Sequence, residues 1–157
     1  GLVTVTGGKW TTYRAMAEDV LGKCMADALL PHRPGGATLK QLLVGANAGA
    51  SSRHPLSQAS DLSVYGTEAA VVEALPGSGR QLGGGLTEAM VRFAVRHEYA
   101  RTVEDVLARR VRLLFLDARL AGSLAAAVGA IVAEETGRDP EIAAFEALAA
   151  KYLHLPA

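Results

Sequence analysis

The sequence contains a single cysteine, Cys24, among 157 residues, so neither an internal disulfide nor a cysteine-rich metal site can form. One thiol favours a reduced intracellular setting, in which we expect Cys24 to be a small core residue. The four histidines show no spacing typical of a metal site: they are His32, His54, His97 and His154. The sequence therefore predicts no metal ligands.

The chain also has no net charge, because sixteen basic and sixteen acidic residues cancel. No overall field favours nucleic acid or an anionic membrane, so no nucleic-acid partner is expected. No apolar run is long enough to cross a bilayer, and residues 1–25 lack the basic start and apolar stretch of a signal peptide. With 50% apolar and 20% charged residues, the composition indicates a globular, cytoplasmic protein.

After the first ten residues, the periodicity is helical, and the fold class predicted is all-α. One short orphan strand is predicted over residues 2–6, before the helices. Residues 1–8 should have lost their sheet, since a single strand is not stable alone, and we expect them to be disordered, refolded against the helices or paired with a neighbouring molecule. The predicted helices run from Thr11 to about Leu30, over Leu62–Leu75, from about Thr87 to Tyr99, over Val103–Leu116, over Arg119–Thr136 and from Pro140 to about Leu153. The connection over residues 31–60 is rich in Pro, Gly, Ala and Ser, with a helical turn expected near Leu39–Leu43.

Two glycine-rich stretches are interpreted as turns rather than nucleotide sites. "GANAGA" (45–50) lacks a preceding strand and the dinucleotide spacing, and "GSGRQLGGG" (77–85) lacks the Lys-Ser/Thr of a P-loop. His97 shares a helical stripe with Leu86, Met90 and Phe93. A histidine in that position is typical of a hydrogen-bonded core residue rather than a catalyst.

The stretch "VTVTGGKWTTYRA" is the best candidate for a site. Gly7 and Gly8 permit positive φ, and the helix that follows should aim the free N–H groups around residues 10–12 at an anion. Lys9 adds a positive charge at the same place. An ordinary threonine-capped turn with a solvated lysine explains the local pattern equally well.

Two motifs resemble one family. "GGKWTTYRAMAED" is similar to the turn that ends the flavin domain of FAD-dependent glycerol-3-phosphate dehydrogenases, whose pattern is G-G-K-x-T-T-Y-R-x-x-A-E. "VRFAVRHEYARTVEDVLARRVRLLFLD" resembles the E-x-A-x-T-x-x-D-x-L-x-R-R-x-R segment of their C-terminal helical domain. The short stretches "YG" (Tyr65–Gly66) and "LPG" (Leu75–Gly77) also resemble this family, in the same order. No D-x-D-x-D-G calcium loop is present, so the resemblance is to bacterial-type members.

The resemblance implies the C-terminal part of an enzyme that oxidises sn-glycerol 3-phosphate to dihydroxyacetone phosphate, with hydride passing to FAD and electrons to a quinone. It implies that residues 1–10 end the FAD-binding domain and that 11–157 form a helical C-terminal domain. By the same resemblance the flavin would contact Gly7, Gly8, Lys9, Thr11 and Thr12, with Lys9 as the candidate catalytic residue.

The rest of the FAD domain would then lie outside this chain, as a missing N-terminal partner. The isolated chain is expected to be inactive and to hold no FAD. The full enzyme would be peripheral on the inner membrane, and a homodimer is compatible with the sequence. Two alternatives remain open: a helical scaffold or interaction module without a catalytic role, and a glycerol-3-phosphate oxidase that uses oxygen.

Within the predicted Val103–Leu116 helix, Arg110 lies on the apolar stripe. A buried guanidinium needs a carboxylate, and Glu98 on the preceding helix is the candidate partner. The alternative is that Arg110 grips the substrate phosphate. Thr102 and Asp105 have the spacing of a capping box at the start of the helix.

Overall fold

The computed structural model describes residues 1–46, 57 and 61–154. These residues are mostly helical, as the sequence predicts, with one two-stranded sheet. The chain divides into two compact units, Gly1–Leu43 and Val44–Ala157. The predicted "GANAGA" turn and His54 lie largely or wholly outside the described residues.

The first unit contains one α-helix, α1 (Tyr13–Ala26), with a 3-10 turn on either side (Trp10–Thr12 and Ala37–Lys40). Helix α1 ends four residues earlier than predicted. Ala28 adopts a left-handed φ of 53°, and the N–H of Leu29 turns back to the carbonyl of Cys24 at 2.8 Å. None of the described residues of this unit is fully buried, and Cys24, predicted to be a core residue, is only half-buried.

Residues 2–6, predicted as a strand, form no strand in the structure. Within the described ranges, the alternating β-branched sequence has no neighbouring strand to pair with, and β-branched residues alone do not supply the ladder hydrogen bonds that define a sheet. The prediction that this segment lacks a sheet is therefore confirmed, whereas the strand itself was wrongly predicted.

The second unit carries the remaining elements. In chain order they are a 3-10 segment Leu62–Glu68, α2 (Ala69–Glu73), β1 (Gln81–Gly83), β2 (Leu86–Thr87), α3 (Glu88–His97), a π-helix Asp105–Arg110, α4 (Leu113–Leu116), α5 (Ala118–Thr136) and α6 (Ile142–Tyr152). Strands β1 and β2 pair antiparallel and form a small hairpin where the sequence predicted only a turn.

Helices α3, α5 and α6 supply most of the core of the second unit. Helix α3 begins where predicted, because the hydroxyl of Thr87 accepts a hydrogen bond from the N–H of Met90 at 3.2 Å. Phe93 of α3 and Phe145 of α6 are each 1% exposed. Gly129 of α5 lies so close to Ile142 that a side chain there would overlap it.

The single helix predicted over Val103–Leu116 is interrupted. Its middle is a π-helix, and Arg112 has a left-handed backbone (φ 57°, ψ 17°) that no α-helix can contain. The last helix also starts later than predicted from Pro140. Glu141 is left-handed (φ 59°, ψ 42°), so α6 begins only at Ile142. Local propensity alone does not reveal either left-handed residue.

A buried ion network, which the sequence interpretation did not anticipate, joins α3 to α5. Arg92 is 8% exposed and donates to Glu88 at 2.6 Å, to Glu134 at 2.9 Å and to Glu135. Arg96 makes a two-bond contact with Glu135 at 2.6 and 2.7 Å. The i, i+4, i+8 spacing of Glu88, Arg92 and Arg96 was the available signal.

The neighbouring cations lower the carboxylate pKa values in this network. The pKa of Glu88 is lowered by hydrogen bonds from Arg92 and then from Arg80, which lies at 2.8 Å. The pKa of Glu135 is lowered chiefly by the Arg96 hydrogen bonds. These guanidinium groups therefore keep buried carboxylates ionised at neutral pH.

Candidate functional site

The predicted flavin-contacting turn has the backbone conformation that its glycines permit. Gly7 and Gly8 have φ values of 78° and 112°, a region that side-chain-bearing residues rarely adopt. Lys9 follows in an extended conformation, and the 3-10 turn that leads into α1 starts at Trp10. A side chain at Gly8 would overlap Met16, whereas Gly7 faces open space.

The hydrogen-bond donors of this turn are only partly free. The N–H and the hydroxyl of Thr12 both donate to the carbonyl of Lys9, at 2.9 and 3.0 Å. The sequence interpretation had expected the N–H of Thr12 to be free for an anion, so that expectation is wrong. Among the described residues, no acceptor faces the N–H groups of Trp10 and Thr11.

All five predicted site residues of the turn are exposed: Gly7, Gly8, Lys9, Thr11 and Thr12. The ammonium of Lys9 makes no hydrogen bond or ion pair with the described part of the chain. Trp10 is 86% exposed, and its ring lies 5.5 Å from that of Tyr13, which is 57% exposed. The turn thus presents one cation, two free N–H groups and two aromatic rings on the surface of the first unit.

The second motif, Glu98–Arg112, forms the junction between α3 and the π-helix. The carboxylate of Asp105 accepts hydrogen bonds from the N–H groups of Arg101 (2.9 Å) and Thr102 (3.1 Å). The hydroxyl of Thr102 accepts one from the N–H of Asp105 at 3.2 Å, so the predicted capping box is confirmed. Burial raises the pKa of Asp105, but these hydrogen bonds outweigh burial and leave it lowered.

Two arginines of the motif, Arg109 and Arg110, have partners within the protein. Arg109 lies 2.8 Å from Asp105 and 2.5 Å from Glu104. The guanidinium of Arg110 donates to the backbone carbonyl of Glu98, and the Glu98 carboxylate is 3.8 Å away. The predicted Glu98–Arg110 contact therefore exists, but it is half-buried and made mainly to the carbonyl. These contacts agree with the packing and pairing role expected for Arg110, and the phosphate-gripping alternative stays a prediction.

An aromatic cluster lies beside this junction. Tyr65 is 8% exposed, and its ring meets that of Phe93 edge-to-face with 5.2 Å between centroids. The ring of His97 stacks on the ring of Phe93 at 4.7 Å. His97 is exposed, so the prediction of a core histidine is wrong. Burial raises the pKa of Tyr65, and the charge of Glu98 adds to this; burial likewise raises the pKa of Glu98, against the lowering effect of Arg110.

The two short glycine motifs occupy positions where a side chain does not fit. Gly66 has φ 55° and ψ −122°, and a side chain there would overlap the carbonyl of Gly45, which accepts a hydrogen bond from the N–H of Thr67 at 2.9 Å. Gly77 has φ 82° and lies against the side chain of Glu88. Both glycines therefore serve close backbone packing in the second unit.

The described residues contain neither a metal-binding cluster nor a membrane-spanning helix. Among residues 1–46, 57 and 61–154, no group of three or more His, Cys, Asp or Glu side chains is placed to hold a metal ion. No helix in that part of the chain is long and apolar enough to cross a membrane.

More than half of this chain matches a known protein family. The family model described as the C-terminal domain of alpha-glycerophosphate oxidase matches residues 35–143. That match includes the Glu98–Arg112 junction and the Gly66 and Gly77 positions, but it begins after the Gly7–Thr12 turn. No solved structure gives a significant match to this chain.

Similar proteins include glycerol-3-phosphate dehydrogenases of eukaryotes and bacteria. The mitochondrial protein of Schizosaccharomyces pombe is 34% identical over 88% of this chain and 28% of its own length. The mitochondrial protein of Arabidopsis thaliana is 35% identical over 86% of this chain and 26% of its own length. Glycerol-3-phosphate dehydrogenase 1 of Mycobacterium tuberculosis is 39% identical over 72% of this chain and 23% of its own length. The chain therefore spans about a quarter of the length of the curated relatives it matches.

Proposed function

Because the chain belongs to the family of the C-terminal domain of alpha-glycerophosphate oxidase, we propose that it is the C-terminal helical part of an enzyme that oxidises sn-glycerol 3-phosphate to dihydroxyacetone phosphate. The observation that carries this proposal is the family match over residues 35–143 together with the glycerol-3-phosphate dehydrogenases among its relatives. In this proposal the flavin domain is an N-terminal partner outside this chain, FAD is the cofactor and a quinone receives the electrons.

The geometry of the Gly7–Thr12 turn fits one edge of a flavin. A side chain at Gly7 would meet no atom within 4 Å, so the backbone there is open to close approach by a planar group. The N–H groups of Trp10 and Thr11 and the ammonium of Lys9 are available as donors. Such donors suit the carbonyl-bearing edge of a flavin ring, because carbonyl oxygens accept hydrogen bonds.

FAD would supply hydride acceptance, and the reduced ring would carry negative charge that these donors could stabilise. The role of this chain would be electrostatic. Lys9 would hold a fixed positive charge beside the ring and the anionic substrate, and the N–H groups of Trp10 and Thr11 would add the positive end of α1. The substrate base and the remaining cofactor contacts would come from the N-terminal partner.

The test is Lys9→Met in the full-length enzyme that carries this chain, with Lys23→Met as the matched control. Lys23 is also exposed and lies on α1, so its loss removes the same charge away from the turn. If Lys9 stabilises the transition state, kcat should fall by roughly ten- to a thousandfold while FAD is retained. A rise in KM with unchanged kcat would instead assign Lys9 to substrate binding.

Normal kcat, KM and flavin potential in the Lys9→Met variant would overturn the assignment of Lys9 to the site. That result would favour the scaffold alternative for this turn. A separate titration of FAD into the 157-residue chain should show no saturable binding, since neither of its glycine-rich stretches has the dinucleotide-binding pattern. A bound-flavin absorbance band at micromolar FAD would contradict this part of the proposal.

The oxidase alternative is favoured by one observation, the description of the matching family as an oxidase domain. The two enzymes differ in acceptor: an oxidase reduces oxygen to hydrogen peroxide, whereas a dehydrogenase reduces a quinone. Turnover of glycerol 3-phosphate by the full-length enzyme, followed in parallel by peroxide release and by reduction of a quinone analogue, separates them. If one peroxide is released for each dihydroxyacetone phosphate formed, and no quinone is needed, the enzyme is an oxidase.

A further inference from the structure

A polar cavity of about 350 Å³ lies at the C-terminal end of α5, within the second unit. It is lined by Val95, Arg96, Arg101, Glu135, Thr136 and Arg138. Three of these side chains carry guanidinium groups and one carries a carboxylate. All six lining residues belong to the second unit.

Arg101 is held in place without being neutralised. Its Nη1 donates to the backbone carbonyls of Val95 at 3.2 Å and Ala100 at 2.9 Å, and its guanidinium lies 4.1 Å from the centre of the Tyr99 ring. No carboxylate of the described residues pairs with this guanidinium. Two carbonyls and an aromatic face therefore fix the position of a full positive charge at the cavity wall.

Arg96 and Arg138 complete the cationic wall in different ways. Arg96 is oriented by its two hydrogen bonds to Glu135, which use Nε and Nη2 and leave Nη1 without a partner in the described part of the chain. Arg138 is exposed; its backbone N–H donates to the hydroxyl of Thr136 at 3.2 Å, and its guanidinium has no partner among the residues that the structure describes. One guanidinium in this wall is thus fully available and another retains free donors.

We propose that this cavity binds a phosphate-type oxyanion, with Arg101 and Arg138 as the principal ligands and Arg96 as the third. Guanidinium groups present paired N–H donors that match the oxygens of phosphate. Glu135 and the negative end of α5 oppose an anion, but three guanidinium groups outweigh one carboxylate. The ligand is either a free phosphate or phosphomonoester, or the phosphate of a lipid headgroup.

The test uses the ¹⁵N-labelled 157-residue chain, titrated with inorganic phosphate at constant ionic strength, with chloride as the control ion. Saturable shifts are expected at the amide and guanidinium signals of Arg96, Arg101 and Arg138. Arg138→Gln should weaken binding at least about fivefold, since it removes one charge-assisted contact. Arg119→Gln removes the same charge from an exposed position on α5 away from the cavity and should change the affinity less than about twofold.

The variants are expected to fold, because the guanidinium of Arg138 has no partner among the described residues to lose. Identical thermal melts for the parent and Arg138→Gln check this, and Arg138→Lys should retain part of the affinity. Shifts that rise linearly without saturation, or equal losses in the Arg138 and Arg119 variants, would overturn the proposal for free phosphate.

A second arm distinguishes the sources of the phosphate. The same proteins are sedimented with vesicles of phosphatidylcholine containing phosphatidylglycerol. Binding to vesicles that Arg138→Gln weakens, without saturable binding of inorganic phosphate, identifies a lipid headgroup as the ligand. Saturable binding of inorganic phosphate identifies a free phosphate. Binding in neither arm refutes the oxyanion site.

Discussion

Replacing Arg92 by Met tests whether the buried ion network holds α3 to α5. Arg92 is 8% exposed and contacts three carboxylates, of which Glu88 and Glu135 have side chains only 9% exposed. Methionine keeps much of the stem and removes the charge. The variant leaves two buried carboxylates with fewer hydrogen-bond donors. Breaking a buried ion pair is costly because the remaining charge is left without full compensation.

The magnitude follows from the partners that remain. Removing one member of a buried ion pair typically costs about 3–5 kcal/mol. Arg96 still contacts one of the orphaned carboxylates, and Arg80 still contacts the other. We therefore expect Arg92→Met to lower the free energy of unfolding by about 3 kcal/mol, at the lower end of that range. Glu134→Gln, at a side chain 64% exposed, should cost less than about 1 kcal/mol.

Urea unfolding followed by circular dichroism at pH 7 measures both variants. The pH dependence gives a second check. The pKa values of Glu88 and Glu135 are lowered in the folded state, so their contribution is present above the ordinary carboxyl pKa of about 4.3 and is lost as pH falls through the lowered values. The difference between parent and Arg92→Met should therefore shrink in acid. A cost no larger than that of Glu134→Gln, or a difference independent of pH, would refute the reasoning.

Three local features of the second unit can be tested in the same way, by urea unfolding of single variants. Arg110→Met should cost about 1–2 kcal/mol because the carbonyl of Glu98 loses its donor. Glu98→Gln keeps that carbonyl and loses only a half-exposed ion pair at 3.8 Å, so it should cost less than about 1 kcal/mol. Equal costs for Arg110→Met and Glu98→Gln would contradict this. Gly66→Ala should cost at least about 2 kcal/mol, against less than about 0.5 kcal/mol for Gly79→Ala, which meets open space. Asp105→Asn should cost about 1 kcal/mol, and unchanged hydrogen exchange at the two backbone amides it caps would argue against that.

The sequence predicted the helical elements well where periodicity and caps agreed. Helix α3 starts at the threonine cap, and α5 ends before Gly137, whose φ of 67° is the left-handed conformation expected at a helix end. The interruption at Arg112 was missed because a left-handed arginine has no signature in composition or spacing. Helical propensity is only a weak guide, because tertiary context can override it at single positions.

The candidate site was predicted less completely. The positive φ values of Gly7 and Gly8 could be predicted from residue type. The hydrogen bond from the N–H of Thr12 to the carbonyl of Lys9 could not, because it depends on how tightly the turn closes. The Arg92 network was overlooked because charged residues at helical spacing are more often a solvated face. Its burial is decided by α5, whose contact with α3 no local pattern specifies.

The backbone contact between Gly45 and the Tyr65–Thr67 turn has a consequence for protein engineering. It brings together two points about twenty residues apart in the chain through the Thr67–Gly45 hydrogen bond at 2.9 Å. Closure entropy grows only slowly with length, by about 0.6 kcal/mol for each doubling of a flexible segment. An epitope or a fluorescent reporter inserted between residues 47 and 60 should therefore leave the second unit folded. A side chain added at Gly45 or at Gly66 should not be tolerated, because it would crowd the contact between them.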